Sequence, residues 1–190
     1  MKNNLKFSVL SIIAFLSLTA CSSDDTPAPV NEEEVITTVK VTLMSTSQNI
    51  TLTSKDLDGD GPNAPVFTTT GGNLVAGSSY VGRVEFLNEL QNPAEDITVE
   101  VEEEGASHQV FYQLPTSLGM VTYDGLDVDA NGKPIGLKFT LVAGSVATTG
   151  NLTVTLRHLP NKSASGVSSG DITNAGGATD AEVILPVTID

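Results

Sequence analysis

Three groups of side chains in this 190-residue chain have the type and spacing to hold a cation. The first is Asp56-Leu57-Asp58-Gly59-Asp60-Gly61, three carboxylates on alternate residues with glycines that permit a tight bend. Calcium takes about six to eight oxygen ligands, and a D-x-D-x-D-G run folds three carboxylates around one point. The twelfth position, where a bidentate Glu would close the set, is Phe67, so Asn63 or a distant carboxylate must complete it. The competing reading is an acidic surface loop built on two Asp-Gly turns. The second group, Asp127-Val128-Asp129-Ala130-Asn131-Gly132, keeps the spacing, with Lys138 at its twelfth position. Asn131-Gly132 between alternating segments is also the favoured two-residue hairpin turn, which needs no ion. The third is Glu100, Glu102, Glu103 and Glu104 followed by His108. On a helix, Glu104 and His108 share one face a turn apart, a spacing that can chelate a transition metal. His158, the only other histidine, ends an alternating segment. Two imidazoles and a carboxylate suit zinc or iron if the fold unites them. Otherwise the acids are a solvated face and the histidines hydrogen-bonding groups.

Enzyme templates do not fit. The chain has no G-x-S-x-G elbow, Walker loop or dinucleotide fingerprint, and we read it as a non-enzyme. Its only cysteine, Cys21, follows Lys2, Lys6 and the apolar run Phe7 to Leu18. That run is shorter than the roughly 20 apolar residues a membrane span needs. Leu18-Thr19-Ala20-Cys21 resembles a bacterial lipobox. The resemblance implies a signal peptide over residues 1–20, cleavage, and acylation of Cys21. One acyl chain binds a membrane only marginally; lipoproteins carry three, so the implied anchor is permanent. The competing reading is an ordinary secretory signal with a chance cysteine. Ser22-Ser23-Asp24-Asp25 resembles the surface-export tag of certain Gram-negative lipoproteins, which implies the outer membrane and its outer face. With Cys21 acylated, no disulfide, thiolate site or cysteine nucleophile remains. Beyond residue 20, seven basic residues face 23 acidic ones, a net charge of −16. Such a surface repels nucleic acid and anionic lipid, leaving the lipid anchor as the expected route to the membrane. Trp is absent and only Tyr80, Tyr112 and Tyr123 carry phenols, so stacking platforms for sugars or bases are scarce.

The elements that must position these groups read as strands. Residues 21–34 form a tether in which Thr26-Pro27-Ala28-Pro29 favours an extended conformation. From residue 35 to 190, β-branched and polar residues alternate: Val35, Thr37, Val39, Val41 and Leu43 share one face. Ile50 to Thr53, Tyr80 to Leu87, Val110 to Leu114, Met120 to Tyr123, Leu137 to Val142, Leu152 to His158 and Val183 to Ile189 read alike. About eight strands without long helical periodicity predict an all-β antiparallel sandwich, Ig-like with Greek-key connections. One segment, 93–104, predicts a short helix or turn, with Asn92 as its N-cap and Pro93 at its first position, giving way to strand near His108. Ser163 to Thr179, rich in small polar residues, predicts a long loop that buries little.

Asp56 to Gly61 resembles the first half of an EF-hand or dockerin-type loop. The whole chain resembles small outer-membrane lipoproteins of Gram-negative bacteria. The shared features are the lipobox, Glu32 to Thr38, Asp56 to Gly61, Pro93 to Thr98, His108 to Tyr112 and Asn131-Gly132-Lys133-Pro134. The resemblance implies a partnership with a TonB-dependent outer-membrane receptor. A type 1 periplasmic-binding label sometimes attached to such proteins implies alternating helices and strands, which this pattern does not support. The expected function is a lipid-anchored envelope module that captures a small ligand or metal ion or assists a transporter. The alternative is a structural or adhesive Ig-like surface domain with calcium-stabilised loops.

Overall fold

A computed structural model describes residues 34–59 and 61–190. The expected signal peptide, Cys21, the tether up to residue 33, and Asp60 lie outside the described residues. Ten strands form: β1 (Thr38–Met44), β2 (Asn49–Lys55), β3 (Val66–Thr70), β4 (Ser79–Asn88), β5 (Glu95–Asp96), β6 (His108–Gln113), β7 (Gly119–Tyr123), β8 (Lys138–Ala143), β9 (Thr148–His158) and β10 (Ala178–Ile189). One helix, α1 (Ile97–Glu103), lies between β5 and β6. The larger sheet runs β3-β2-β1-β4-β8-β7, with β5 paired to β4, and the smaller runs β10-β9-β6. Every strand pairing is antiparallel. The chain is all-β with two antiparallel sheets, as its alternation requires.

Alternation explains the register. Val39, Val41 and Leu43 of β1 are buried, and Val39 and Val41 stand opposite Phe86 and Val84 of β4. A one-residue slip would turn this whole set to solvent, so burial fixes the pairing. Leu152, Val154 and Leu156 of β9 and Leu185, Val187 and Ile189 of β10 meet them across a continuous core. Each such side chain, fully buried, contributes about 1.5–3 kcal/mol. Tyr123 of β7 donates to the carbonyl of Val110 in β6 at 2.6 Å, tying one sheet to the other. Gly82 makes room for the Phe139 ring, which lies 2.2 Å from where a Cβ would stand.

The structure corrects three expectations. Two strands were not legible: β3, exposed throughout and hence without an inside–outside pattern, and the two-residue β5. The helix begins later than Asn92, because Glu95 and Asp96 stay extended to pair with Asn88 and Leu87 of β4. Asp96 is the N-cap, accepting from the amide of Thr98 at 3.1 Å. Ile97 and Val101 then turn inward while Val99 stays exposed, the spacing of a helix rather than of a strand. The segment after β9 buries more than its composition suggests. It makes two 3₁₀ turns, Val167–Ser169 and Ile172–Asn174, and lays Val167 and Ala175 on Phe111 at the outer face of the small sheet. That cover buries Thr155, which the β9 alternation points outward.

Candidate metal centre

His108 opens β6 and His158 closes β9, and the two residues stand directly opposite each other in the register. Their side chains share the face of Val110, Leu156 and the core, since residues two apart on a strand point the same way. The imidazole centroids are 4.7 Å apart with the rings inclined at 36°. The neighbouring strand adds a carboxylate through an irregularity. Thr179 pairs with Arg157 and Ala181 with Leu156, so Asp180 is an extra, unpaired residue in β10. Such a bulge re-aims the side chain it carries, and here the Asp180 carboxylate is buried beside both histidines. Glu34, four residues before the start of β1, supplies a second carboxylate. Expected in the tether, its side chain instead packs into the folded body.

Four ligand atoms, one from each residue, lie within 4.8 Å of one another. His108 Nε2 is 3.0 Å from Glu34 Oε1 and 3.7 Å from Asp180 Oδ2. His158 Nδ1 is 3.9 Å from Asp180 Oδ1. The side chains of His108, Asp180, Glu34 and His158 are 0%, 1%, 5% and 10% exposed. Glu34 Oε2, His108 Nε2, His158 Nδ1 and Asp180 Oδ2 nevertheless have no hydrogen-bond partner among the described residues. Buried polar atoms are normally paired, because an unpaired one costs about 1–3 kcal/mol. Burial, reinforced by the charge of Glu34 and opposed by the two imidazoles, pushes the Asp180 carboxyl up to about 6. A cleft of about 540 Å³, lined by Ser54, Asp56, Gly59, Asp180 and Glu182 among others, opens beside the cluster.

The structure therefore brings His108 and His158 together but not the Glu104 carboxylate. Glu104 is the helix C-cap, and its carbonyl, not its side chain, faces His108 Nδ1 at 3.3 Å. A proton on Nδ1 donated to that carbonyl leaves Nε2 bare and aimed at Glu34 and Asp180. Glu34 and Asp180 were not legible in the sequence. Glu34 ends a run of three glutamates, and Asp180 acts through a bulge that no residue type announces.

The two acidic loops are elsewhere engaged. Asp56 Oδ1 accepts from the amide of Gly59 at 3.0 Å, and Asp58 Oδ2 from the side-chain amide of Asn63 at 2.7 Å. That bond holds the Asp58 carboxyl below its ordinary value. Asp127 is buried and accepts from the amide of Lys138 at 2.9 Å. Asp129 Oδ1 accepts from the amides of Asn131 and Lys133 at 2.8 and 2.9 Å, closing a turn in which Gly132 takes φ +71°. On its other oxygen Asp129 meets the ammonium of Lys162 at 3.2 Å. Burial alone would raise the Asp129 carboxyl, but these amides and Lys162 outweigh it and hold it low.

The sequence model of one family, described as a haemagglutinin repeat, matches residues 121–189, a little over a third of the chain. In the fold this stretch takes in most of β7, then β8 and β9, and β10, strands from both sheets. No curated protein and no solved structure matches the chain significantly.

Proposed function

We propose that the chain is a cell-surface β-sandwich with a structural, adhesin-like role, held at the outer membrane by acyl chains on Cys21. The observation that carries this reading is the haemagglutinin-repeat match over residues 121–189, which favours the adhesive alternative over ligand capture. Two further features support it. The lipobox-like Leu18 to Cys21 provides an anchor, and the two-sheet body is a shape that can be displayed on a tether. We assign it no catalysis. A second reading, capture of a metal ion on behalf of a TonB-dependent receptor, is favoured by the His108–His158 cluster. A site buried to this degree suits retention better than hand-over. The test is display of the full chain in a Gram-negative host, with antibody labelling of intact cells and agglutination of erythrocytes as readouts. The reading expects labelling and agglutination, and Cys21→Ser should abolish both. Labelling only after the outer membrane is opened, or no agglutination by labelled cells, would overturn it.

A further inference from the structure

We propose that Glu34, His108, His158 and Asp180 bind one zinc ion that staples the start of the sandwich to its last strand. Two imidazoles and two carboxylates are a zinc-type donor set, and four protein ligands make a closed, structural site rather than a catalytic one with an open position. As ligands the imidazoles are neutral and the carboxylates carry one negative charge each, so a single divalent ion neutralises the set. Among the described residues six buried side-chain atoms lack partners, and four of them, one from each residue, belong to this cluster. A bound ion gives all four residues a partner at once.

The geometry is reached by contraction of the four ligand atoms onto the ion. Zinc–ligand bonds of about 2.0–2.1 Å place tetrahedral neighbours about 3.4 Å apart. The Glu34–His108 pair is already there at 3.0 Å, His108 and His158 lie 3.7 and 3.9 Å from one or the other Asp180 oxygen, and separations of up to 4.8 Å within the four-atom set close by up to about 1.4 Å. The outer shell is in place too. The Nδ1 proton of His108 points to the carbonyl of Glu104, the arrangement that fixes a ligating histidine's tautomer and ring orientation. The cleft beside Asp180, lined also by Asp56 and Glu182, carries acids that draw cations toward the cluster. Such a bond joins residues 34 and 180, nearly the full length of the folded body. It does the work of a disulfide in a chain whose only cysteine precedes that body.

The experiment is native mass spectrometry and a melting curve of the full chain in detergent, without a histidine tag. Cys21→Ser is introduced so that no thiol competes for metal. Zinc chloride is compared with chelator and with calcium and magnesium chloride. The proposal expects one zinc per chain, a melting temperature that rises with zinc and falls with chelator, and no such rise with calcium or magnesium. His158→Ala and Asp180→Asn should each weaken zinc binding by more than the ~100-fold that loss of an outer-shell partner costs. Both retain the Glu34–His108 contact, and the charge-state distribution in the native mass spectrum and the melting transition in chelator show for each variant whether it is folded before zinc is added. No retained zinc, or zinc that binds both variants as tightly as the parent, would overturn the proposal. The surface role stands or falls separately, by agglutination.

Discussion

Two buried charged clusters in this protein are built from similar parts and end differently. At Lys162, the ammonium donates to the carbonyls of Gly105 and Pro134 and to Asp129, so all three of its protons are used. Burial draws the Lys162 amine below its ordinary value, and Asp129 opposes that shift. The charges cancel within the chain. At His108 and His158, two carboxylates gather without a lysine or arginine, and four atoms stay unpaired. The difference teaches how to read buried charge. A cluster that carries its own cation is a brace, whereas the one that lacks it is where we propose that a zinc ion binds.

The largest test breaks the closed cluster. Lys162→Met leaves Asp129 buried without its partner and orphans two carbonyls, and removing one member of a buried pair costs about 3–5 kcal/mol. Urea denaturation should show that loss. A change below about 1 kcal/mol would place the pair among exposed ones and undo the contrast.

A second test uses the phenols packed beside Asp127. Burial pushes the Tyr123 hydroxyl from 10 up to about 12, a shift lowered by the Gln109 bond and raised by Asp127, and burial also drives Tyr112 well above its ordinary value. The folded state thus favours the neutral phenol. Below pH 10 that preference leaves stability unchanged with pH; between pH 10 and about 12 the unfolded chain ionises first and stability falls. For Tyr123 the loss is about 2.7 kcal/mol. Unfolding monitored by tyrosine absorbance across this range checks it, and Tyr123→Phe should flatten the fall.

Asp180→Asn sharpens the contrast by a change of sign. In chelator the substitution removes one of two like charges that no cation balances, so the melting temperature should hold or rise. In zinc it removes a ligand, so the melting temperature should fall relative to the parent by several degrees, as about 1–2 kcal/mol does in a domain of this size. A fall of equal size in both conditions would mean that Asp180 is structural only.

The smallest expected effect is at Asp56 to Gly61. Asp56 and Asp58 already accept from their own loop, so calcium, magnesium and matched sodium chloride should shift the melting temperature equally. A calcium-specific rise that Asp58→Ala removes would make the loop a second cation site.

How much of this was legible follows from where the information lies. The sandwich was legible because Val39-Lys40-Val41-Thr42-Leu43 and Leu152 to Leu156 alternate on a half-buried surface, the pattern that burial itself imposes. β3 was not, because a strand exposed on both faces is held by backbone pairing that no side chain records. The histidine pair was named from residue type, but its union depends on a register, His108 against His158, set by every other residue of β6 and β9. Glu104 misled because its spacing is helical while His108 belongs to the next strand. Asp180 was invisible because a bulge, not a motif, turns it inward. Lys162 directly precedes Ser163 to Thr179, whose composition reads as surface, and only the packing of Val167 and Ala175 on Phe111 shows that the stretch covers the small sheet.

The claim that one cluster is closed and the other open to a cation is tested most directly by crystals grown in zinc, with diffraction collected at the zinc absorption edge. The account predicts one anomalous peak about 2.0–2.2 Å from Glu34, His108, His158 and Asp180, and none beside Asp129, where Lys162 stands. A peak at Asp129 or in the Asp56 loop with nothing between the two histidines would contradict it.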